Sequence, residues 1–184
     1  MLNRDEALEL VKAQGPEPHL INHAIQTEAI MRALALRLGH DPELWGVTGL
    51  LHDLDYPATR DNPARHGLEG AAMLAGRMPD DALQAIAAHN EEYTGVAAAN
   101  PFDFALRAAE TATGLISAAA LVRPTRMEGM APKGLKKKMK DKAFAAAVNR
   151  ERIRECERLG MTLDDFFLLA IPAVAQVAGE TGLA

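Results

Sequence analysis

The stretch Leu44-Trp-Gly-Val-Thr-Gly-Leu-Leu-His-Asp-Leu-Asp-Tyr56 decides how the whole chain is read. Residues 44–51 carry no charge and then meet a histidine and an aspartate. Just ahead, Asp41-Pro42 offers an N-cap side chain followed by proline at the first helical position, so a helix is expected from Glu43 to about Leu51. That helix delivers His52-Asp53 to the buried end of a core element. A carboxylate there carries a desolvation cost unless a cation or several donors offset it. A divalent metal is an economical cation for the purpose, because neutral imidazole and carboxylate are its natural ligands. From the dipeptide alone, the alternative is a hydrogen-bonded buried histidine beside a helix-terminal aspartate. The other His-Asp pair, His40-Asp41, has a local explanation as a turn at a helix break.

On the N-terminal side, the first thirteen residues read as a short amphipathic helix ended by Gly15-Pro16. A longer helix follows from Pro18, with Leu20, Ala24, Ile30, Ala33, Leu34 and Leu38 forming an apolar stripe that Gly39 stops. On the C-terminal side, Leu54 to Arg65 contains Pro57 and Pro63 and reads as a loop. Helical spacing returns over 67–77 and 81–88. Asn90 to Asn100 is polar, and a long alanine-rich helix runs from Pro101 to about Val122, closed by Arg123-Pro124. A basic segment reaches Lys142, and helices are expected near 150–159 and 163–179, the last opened by Thr162 and kinked or broken around Pro172. No apolar-polar alternation is long enough for a strand. With 35 alanines in 184 residues and only 4% aromatic side chains, the expectation is an all-α, single-domain helical bundle over 1–184. Its core is expected at 18–122, with the basic segment and C-terminal helices of 123–184 packed on it.

Composition narrows the chemistry. The single cysteine, Cys156, excludes an internal disulfide and a thiolate-rich metal site. No apolar run reaches 18 residues, and the start Met1-Leu2-Asn3-Arg4 leads into acidic residues, unlike a signal peptide. A soluble, cytoplasmic protein with no membrane partner is expected. The net charge of −5 hides an asymmetry: residues 1–122 hold 8 Lys/Arg against 17 Asp/Glu, whereas 123–184 hold 12 against 8. The two parts therefore face different partners or each other. The stretch Lys133 to Lys142 concentrates the positive charge, but the scarcity of aromatics for stacking argues against nucleic acid as a partner.

Any metal must then be held by histidines and carboxylates. There are six histidines, and His23, His52, His66 and His89 lie at helix ends or on helices able to face a bundle interior. His19 and His23 share one helix face, and either could be the first ligand, with His23 deeper in the apolar stripe. One more acid is needed, and Glu110 sits mid-way along the alanine-rich helix in Arg107-Ala-Ala-Glu-Thr-Ala-Thr-Gly114, among small residues. A second reading pairs Glu110 with Arg107 at i,i+3.

The arrangement His23, then Gly49-Leu-Leu-His-Asp-Leu-Asp-Tyr56, then a distal acid resembles the HD-domain superfamily of metal-dependent phosphohydrolases, in particular its small HDIG-type members. His66-Gly67-Leu-Glu-Gly-Ala71 and Ala88-His89-Asn90 resemble the extra histidines of members that bind two metals. The resemblance covers residues 18–122 most strongly. It implies an all-helical domain in which His23, His52, Asp53 and Glu110 hold one divalent metal, with His66 and His89 holding a second across a bridging Asp53. Manganese, iron, zinc, nickel and magnesium are all candidates. The chain departs from the pattern at Leu54-Asp55-Tyr56, which stands where HDIG-type members carry Ile-Gly after the pair and places Asp55 and Tyr56 on the rim, and at Glu110, which stands where they carry aspartate.

The implied reaction is hydrolysis of a phosphomonoester or phosphodiester of a nucleotide or another small phosphorylated compound, with Asp53, His66 and His89 in the catalytic roles. No separate nucleophile is required. Arg60, Arg65, Arg123, Lys137 and Lys138 are the cations available to neutralise substrate phosphate, although the lysine run also reads as a solvated helix face. Two other functions fit the same residues: a di-iron oxygenase on the same fold, and a regulatory metal- or ligand-binding module with a weakened site. A homodimer is compatible with the composition.

Overall fold

The computed structural model describes residues 1–184 and contains helices but no strands. Helix α1 (Arg4–Ala13) opens on a capping box in which Asn3 and Glu6 satisfy each other's backbone N–H. Helix α2 (Pro18–Leu38) runs 21 residues and ends on Gly39, whose φ of 77° supplies the left-handed turn. Helix α3 (Pro42–Leu51) starts as the sequence predicts, with the Asp41 carboxylate accepting from Glu43 and Leu44 N–H, and His52 is its C-cap.

The segment read as a loop contains one short helix, α4 (Tyr56–Thr59), and then turns that lead to α5 (Leu68–Leu74). Helix α6 (Asp80–Ala88) ends on His89. The polar stretch after it begins with another single turn, α7 (Glu91–Thr94). Helix α8 (Pro101–Leu121), opened by an Asn100/Asp103 capping box, is the second 21-residue helix. The basic segment forms α9 (Pro132–Lys140), followed by α10 (Arg150–Arg154) with a tighter 3₁₀ turn over Glu155–Leu159, and α11 (Leu163–Gln176). Pro172 does not break α11, which ends three residues short of the expected Gly179. Both Pro172 and Leu168, whose carbonyl loses its helical donor, lie on the exposed face, so the missing bond does not leave a polar group in the core.

Helices α2 and α8 form the centre, with α3 and α11 packed on α2, and α6, α9 and α10 on α8. The core is a single cluster that includes Ile30, Met31, Leu34, Leu50, Leu51, Leu106, Leu115, Phe166 and Phe167, all essentially buried. Small residues set the spacing: Ala105, Ala108, Ala109 and Ala112 put one face of α8 directly against its neighbours. The closest approach is between α3 and α2. A Cβ added at Gly49 would lie 2.9 Å from Met31 Cγ and 3.1 Å from the Thr27 carbonyl, and one at Gly46 would meet the Arg32 side chain at 2.5 Å.

A buried carboxylate locks the same contact from its far end. Glu28 accepts from Arg4 Nε at 2.8 Å and from Arg32 Nε at 2.9 Å, and Arg32 also reaches Glu43 on α3. Three helices are thereby clamped at one end of α3, while the other end carries His52 and Asp53. No single helix is long and apolar enough to cross a membrane.

Candidate metal centre

Four histidines from four different elements point the same ring atom at one carboxylate. His23 comes from the middle of the first half of α2, His52 from the C-cap of α3, His66 from the turn before α5, and His89 from the C-cap of α6. Their Nδ1 atoms are all taken. His52 Nδ1–H donates to the Gly49 carbonyl at 2.8 Å and His89 Nδ1–H to the Ile86 carbonyl at 2.6 Å. These are the same local device, a histidine just past a helix end bonding to a carbonyl three residues back that the helix leaves unpaired. His66 Nδ1–H donates to Asp55 at 2.9 Å. Thr113 gives its hydroxyl proton to the Glu110 carbonyl at 2.6 Å, so its oxygen accepts from His23 Nδ1–H at 2.7 Å.

With every Nδ1 protonated, every neutral ring presents a lone pair at Nε2. Those lone pairs converge. His23 Nε2 lies 3.1 Å from His52 Nε2, and His66 Nε2 lies 3.1 Å from His89 Nε2. Asp53 sits between the two pairs, with Oδ2 3.6 Å from His23 and Oδ1 at 3.4, 3.2 and 3.5 Å from His52, His66 and His89. Lone pairs packed this closely around a carboxylate repel one another unless a cation lies among them. Two nitrogens bound to one ion at about 2.1 Å stand roughly 3 Å apart when they are neighbouring ligands, which matches the observed spacing. His23, His52 and Asp53 form one group able to hold a divalent metal, and Asp53, His66 and His89 form another.

The protonation balance of the metal-free site differs from ring to ring. Burial pushes His52 down to about 3, against the pull of Asp53, so it stays neutral. Burial also works against a charge on His66, but the hydrogen bonds and charges of Asp53 and Asp55 outweigh it and raise His66 to about 9, so at neutral pH the metal-free ring keeps a proton on Nε2 beside Asp53 that a bound metal would replace. Burial would raise Asp53, yet the facing histidines hold it well below the usual carboxylate range. The centre stabilises a carboxylate anion and calls for positive charge beside it.

Asp55 is the residue that sequence reasoning placed wrongly. It is buried rather than on the rim. Its Oδ1 orients His66, and its Oδ2 accepts from the N–H groups of Gly67 and Gly70 at 2.8 and 2.9 Å. Those glycines are needed where they are. A Cβ at Gly70 would come within 3.3 Å of the Asp55 carboxylate, and Gly67 adopts a φ of 90° with the Ile86 carbonyl 2.9 Å from where a Cβ would lie. Tyr56 does face the cavity beside the site.

The expected fourth ligand, Glu110, is not brought into the converging set. Its carboxylate is held by the Thr111 hydroxyl and lies 3.5 Å from Arg152 Nη1. Arg107 does not claim it either, since Arg107 is buried between Glu91 and Glu155. Glu92, the remaining acid of that polar stretch, pairs with Arg152. Arg152 was missed because nothing in its own surroundings in sequence marks it. It lines, with His23 and Glu110, a hollow of about 220 Å³. His19 is largely exposed beside Glu17 and takes no part in the cluster, and exposed His40 stacks on Trp45 at 4.7 Å as a turn residue.

Most of the expected phosphate-binding cations are engaged elsewhere. Arg65 is bound to Glu69 one turn away, and Arg123 bonds to the Arg126 and Glu128 carbonyls of its own turn. Lys138 lies over the Phe144 ring at 3.6 Å, and Lys137 is on the exposed face of α9. Arg60, exposed and 3.8 Å from Glu17, lines with His19 and Tyr56 a hollow that shares those two residues with the main cavity. That cavity, about 600 Å³, opens directly onto His23 and Asp53.

No curated protein and no solved structure matches the chain significantly. A family model does: the HD domain matches residues 20–147, from the start of α2 to the loop after α9. The matched span holds His23, His52, Asp53, His66 and His89 together with the Asp55 and Thr113 that orient two of them, and the chain belongs to the HD domain family.

Proposed function

We propose that the protein is a metal-dependent hydrolase of phosphate esters acting on a nucleotide or another small phosphorylated compound. One observation carries the reading: a single carboxylate, Asp53, joins two groups of histidine donors at the floor of an open cavity of about 600 Å³. Divalent ions in those groups supply positive charge for the phosphoryl oxygens and lower the pKa of an attacking water. The chain's part is to hold them. His23 and His52 serve one group and His66 and His89 the other, with Asp53 common to both. Asp55, Thr113 and two helix-end carbonyls fix each ring with its Nε2 inward. Four imidazoles per carboxylate favour iron, zinc or nickel over magnesium or manganese, which prefer oxygen ligands.

The reaction balances without a protein nucleophile. Water oxygen bonds to phosphorus, the ester P–O bond breaks, and the departing oxygen takes up a proton, leaving phosphate and an alcohol. Asp53, His66 and His89 are the catalytic residues of this reading, and Arg60, in the adjoining hollow, is its phosphate-binding cation. The one cysteine is buried with its thiol pushed up to about 12 by burial, which suits no nucleophilic role.

A second reading has a specific basis: each donor group is two histidines and one carboxylate, a set that also suits non-haem iron and oxygen chemistry. A third, a weakened regulatory module, rests on Glu110 being held by Arg152 and Thr111. Metal analysis of the purified protein, with a panel of phosphate esters assayed before and after chelation, decides among them. Chelator-sensitive release of phosphate, restored by manganese, zinc or nickel, supports hydrolysis. Full dependence on iron and dioxygen supports the second reading, and metal binding without turnover the third.

A further inference from the structure

The cavity beside the metal centre has no lysine or arginine in its wall. Its polar lining is instead a neutral ladder on two facing helices. Asn22 and Gln26 stand one turn apart on α2, and Thr113 and Ser117 one turn apart on α8. Thr113 is committed to His23, but the next rung is half free. Gln26 is 97% buried and its Oε1 accepts from Ser117 at 2.8 Å, while its Nε2 bonds to no protein group and is not sealed off, so that donor is open to the cavity. Asn22 donates to the Thr181 carbonyl at 3.2 Å, leaving its own carbonyl open. An amide held by its neighbour with its donor facing a cavity is fixed in place to bond a polar group that enters. Leu20 and Leu121 complete the wall.

We propose that this cavity receives the uncharged, hydroxyl- or carbonyl-bearing body of a phosphomonoester, read by the Gln26 amide, and that a second phosphate is excluded. The inference rests on the phosphate-ester reading above and names its substrate class. The single phosphate sits at the His23/Asp53 end. A further phosphate in the ladder would meet no cation, with the Asp53 carboxylate nearby, so it would be desolvated without compensation. Nucleosides and sugars both present the required chemistry.

The test uses calorimetry on the full chain. In the metal-free protein, adenosine and glucose serve as probes of the body alone. In the metal-loaded protein, with metal in excess, non-hydrolysable phosphonate analogues of adenosine 5′-monophosphate and glucose 6-phosphate are compared with that of adenosine 5′-diphosphate. One uncharged probe is expected to bind, and which one does assigns the body as nucleoside or sugar. The matching monophosphate should bind at least roughly tenfold tighter than the diphosphate, the scale of burying an unpaired charge. Gln26→Leu should weaken the uncharged probe about 3- to 10-fold, the worth of one hydrogen bond. Leu121, 56% exposed, tolerates substitution, and Leu121→Lys should raise diphosphate affinity relative to monophosphate about 2- to 5-fold. Binding of neither uncharged probe, equal or tighter binding of the diphosphate, or indifference to both substitutions would overturn the proposal. If no phosphate ester is hydrolysed but Gln26→Leu still weakens the uncharged probe, the hydrolase reading falls and the cavity assignment stands.

Discussion

Replacing Asp55 by asparagine should cost metal affinity far more than it costs the fold. Oδ2 of Asp55 accepts from two N–H groups, Gly67 and Gly70, at 2.8 and 2.9 Å, so the amide oxygen of an asparagine must take that side. Its NH₂ then falls where Oδ1 stood, 2.9 Å from His66 Nδ1. Two N–H groups cannot face each other, and His66 has to move its proton to Nε2. That proton points at Asp53 and His89, into the space a metal would occupy. Holding the wrong tautomer typically lowers metal affinity by about 10- to 100-fold, or roughly 1.4–2.7 kcal/mol. The fold keeps its two backbone bonds, so above about pH 9, where His66 is neutral in the parent as well, stability of the metal-free protein should change by no more than about 1 kcal/mol; below that pH the variant also loses the charged His66–Asp55 bond. Asp55→Ala provides the contrast, since it orphans both buried N–H groups and should cost about 1–3 kcal/mol for each. Competition for zinc with a chromogenic chelator reads the affinity, and ring-nitrogen NMR of the zinc-bound protein reads the tautomer. An asparagine variant that binds zinc within twofold of the parent, with His66 still protonated at Nδ1, would refute the reasoning.

Other consequences follow from the same geometry. Gly49→Ala puts a methyl group 2.9 Å from Met31 Cγ and 3.1 Å from the Thr27 carbonyl, forcing α3 off α2. A loss of about 1–3 kcal/mol in urea unfolding is expected, with weaker metal binding because His52 moves with α3; an unchanged midpoint would show that the close approach is not required. Metal held at a hundred times its Kd adds about 2.7 kcal/mol to stability. Chelation should therefore lower Tm by about 5–10 °C for a chain of this size, and a melting temperature blind to both chelator and metal would count against the centre. Cys156, buried and with its thiol raised to about 12, should resist thiol reagents at pH 8 until the protein unfolds; labelling at native rates close to those of a free thiol would contradict its placement.

How much of this was legible in sequence depended on the range of the interaction. Helix starts were readable because a cap and its partners lie within four residues, as at Asp41-Pro42, Asn100-Pro101 and Thr162. Positions 52 and 89 were readable because each histidine sits just past an apolar helix and is oriented by that helix's own carbonyl. The short helices α4 and α7 were not, since four residues carry no period. Asp55 was misread because its partners lie 11 to 15 residues on, and only the fold brings His66, Gly67 and Gly70 around it. Glu110 sits on the helix and at the height expected of it, but a side chain 42 positions later competes for its carboxylate. No local signal could have announced that competition.

The charge asymmetry has a structural use within the fold. Residues 1–122 are acidic and 123–184 basic, and the structure spends much of that difference across the join between them. Arg152 is shared by Glu92 and Glu110, and buried Arg107 in turn reaches Glu155. Lys136 is held by Asp164 within the basic part, and Lys138 lies over Phe144. Each of these cations is fixed by a partner on the protein, so a phosphate would have to displace a carboxylate or an aromatic face to use it. Partly buried pairs such as Arg152 with Glu110 are expensive to break, because the partner is left desolvated and alone. The positive charge of the second part therefore works chiefly to seat α10 and the turn after it against α8, which carries Thr113 and so the orientation of His23. On the proposed reading, neutralising the substrate would fall chiefly to the metal centre, in keeping with a neighbouring cavity built from amides and hydroxyls in place of lysines.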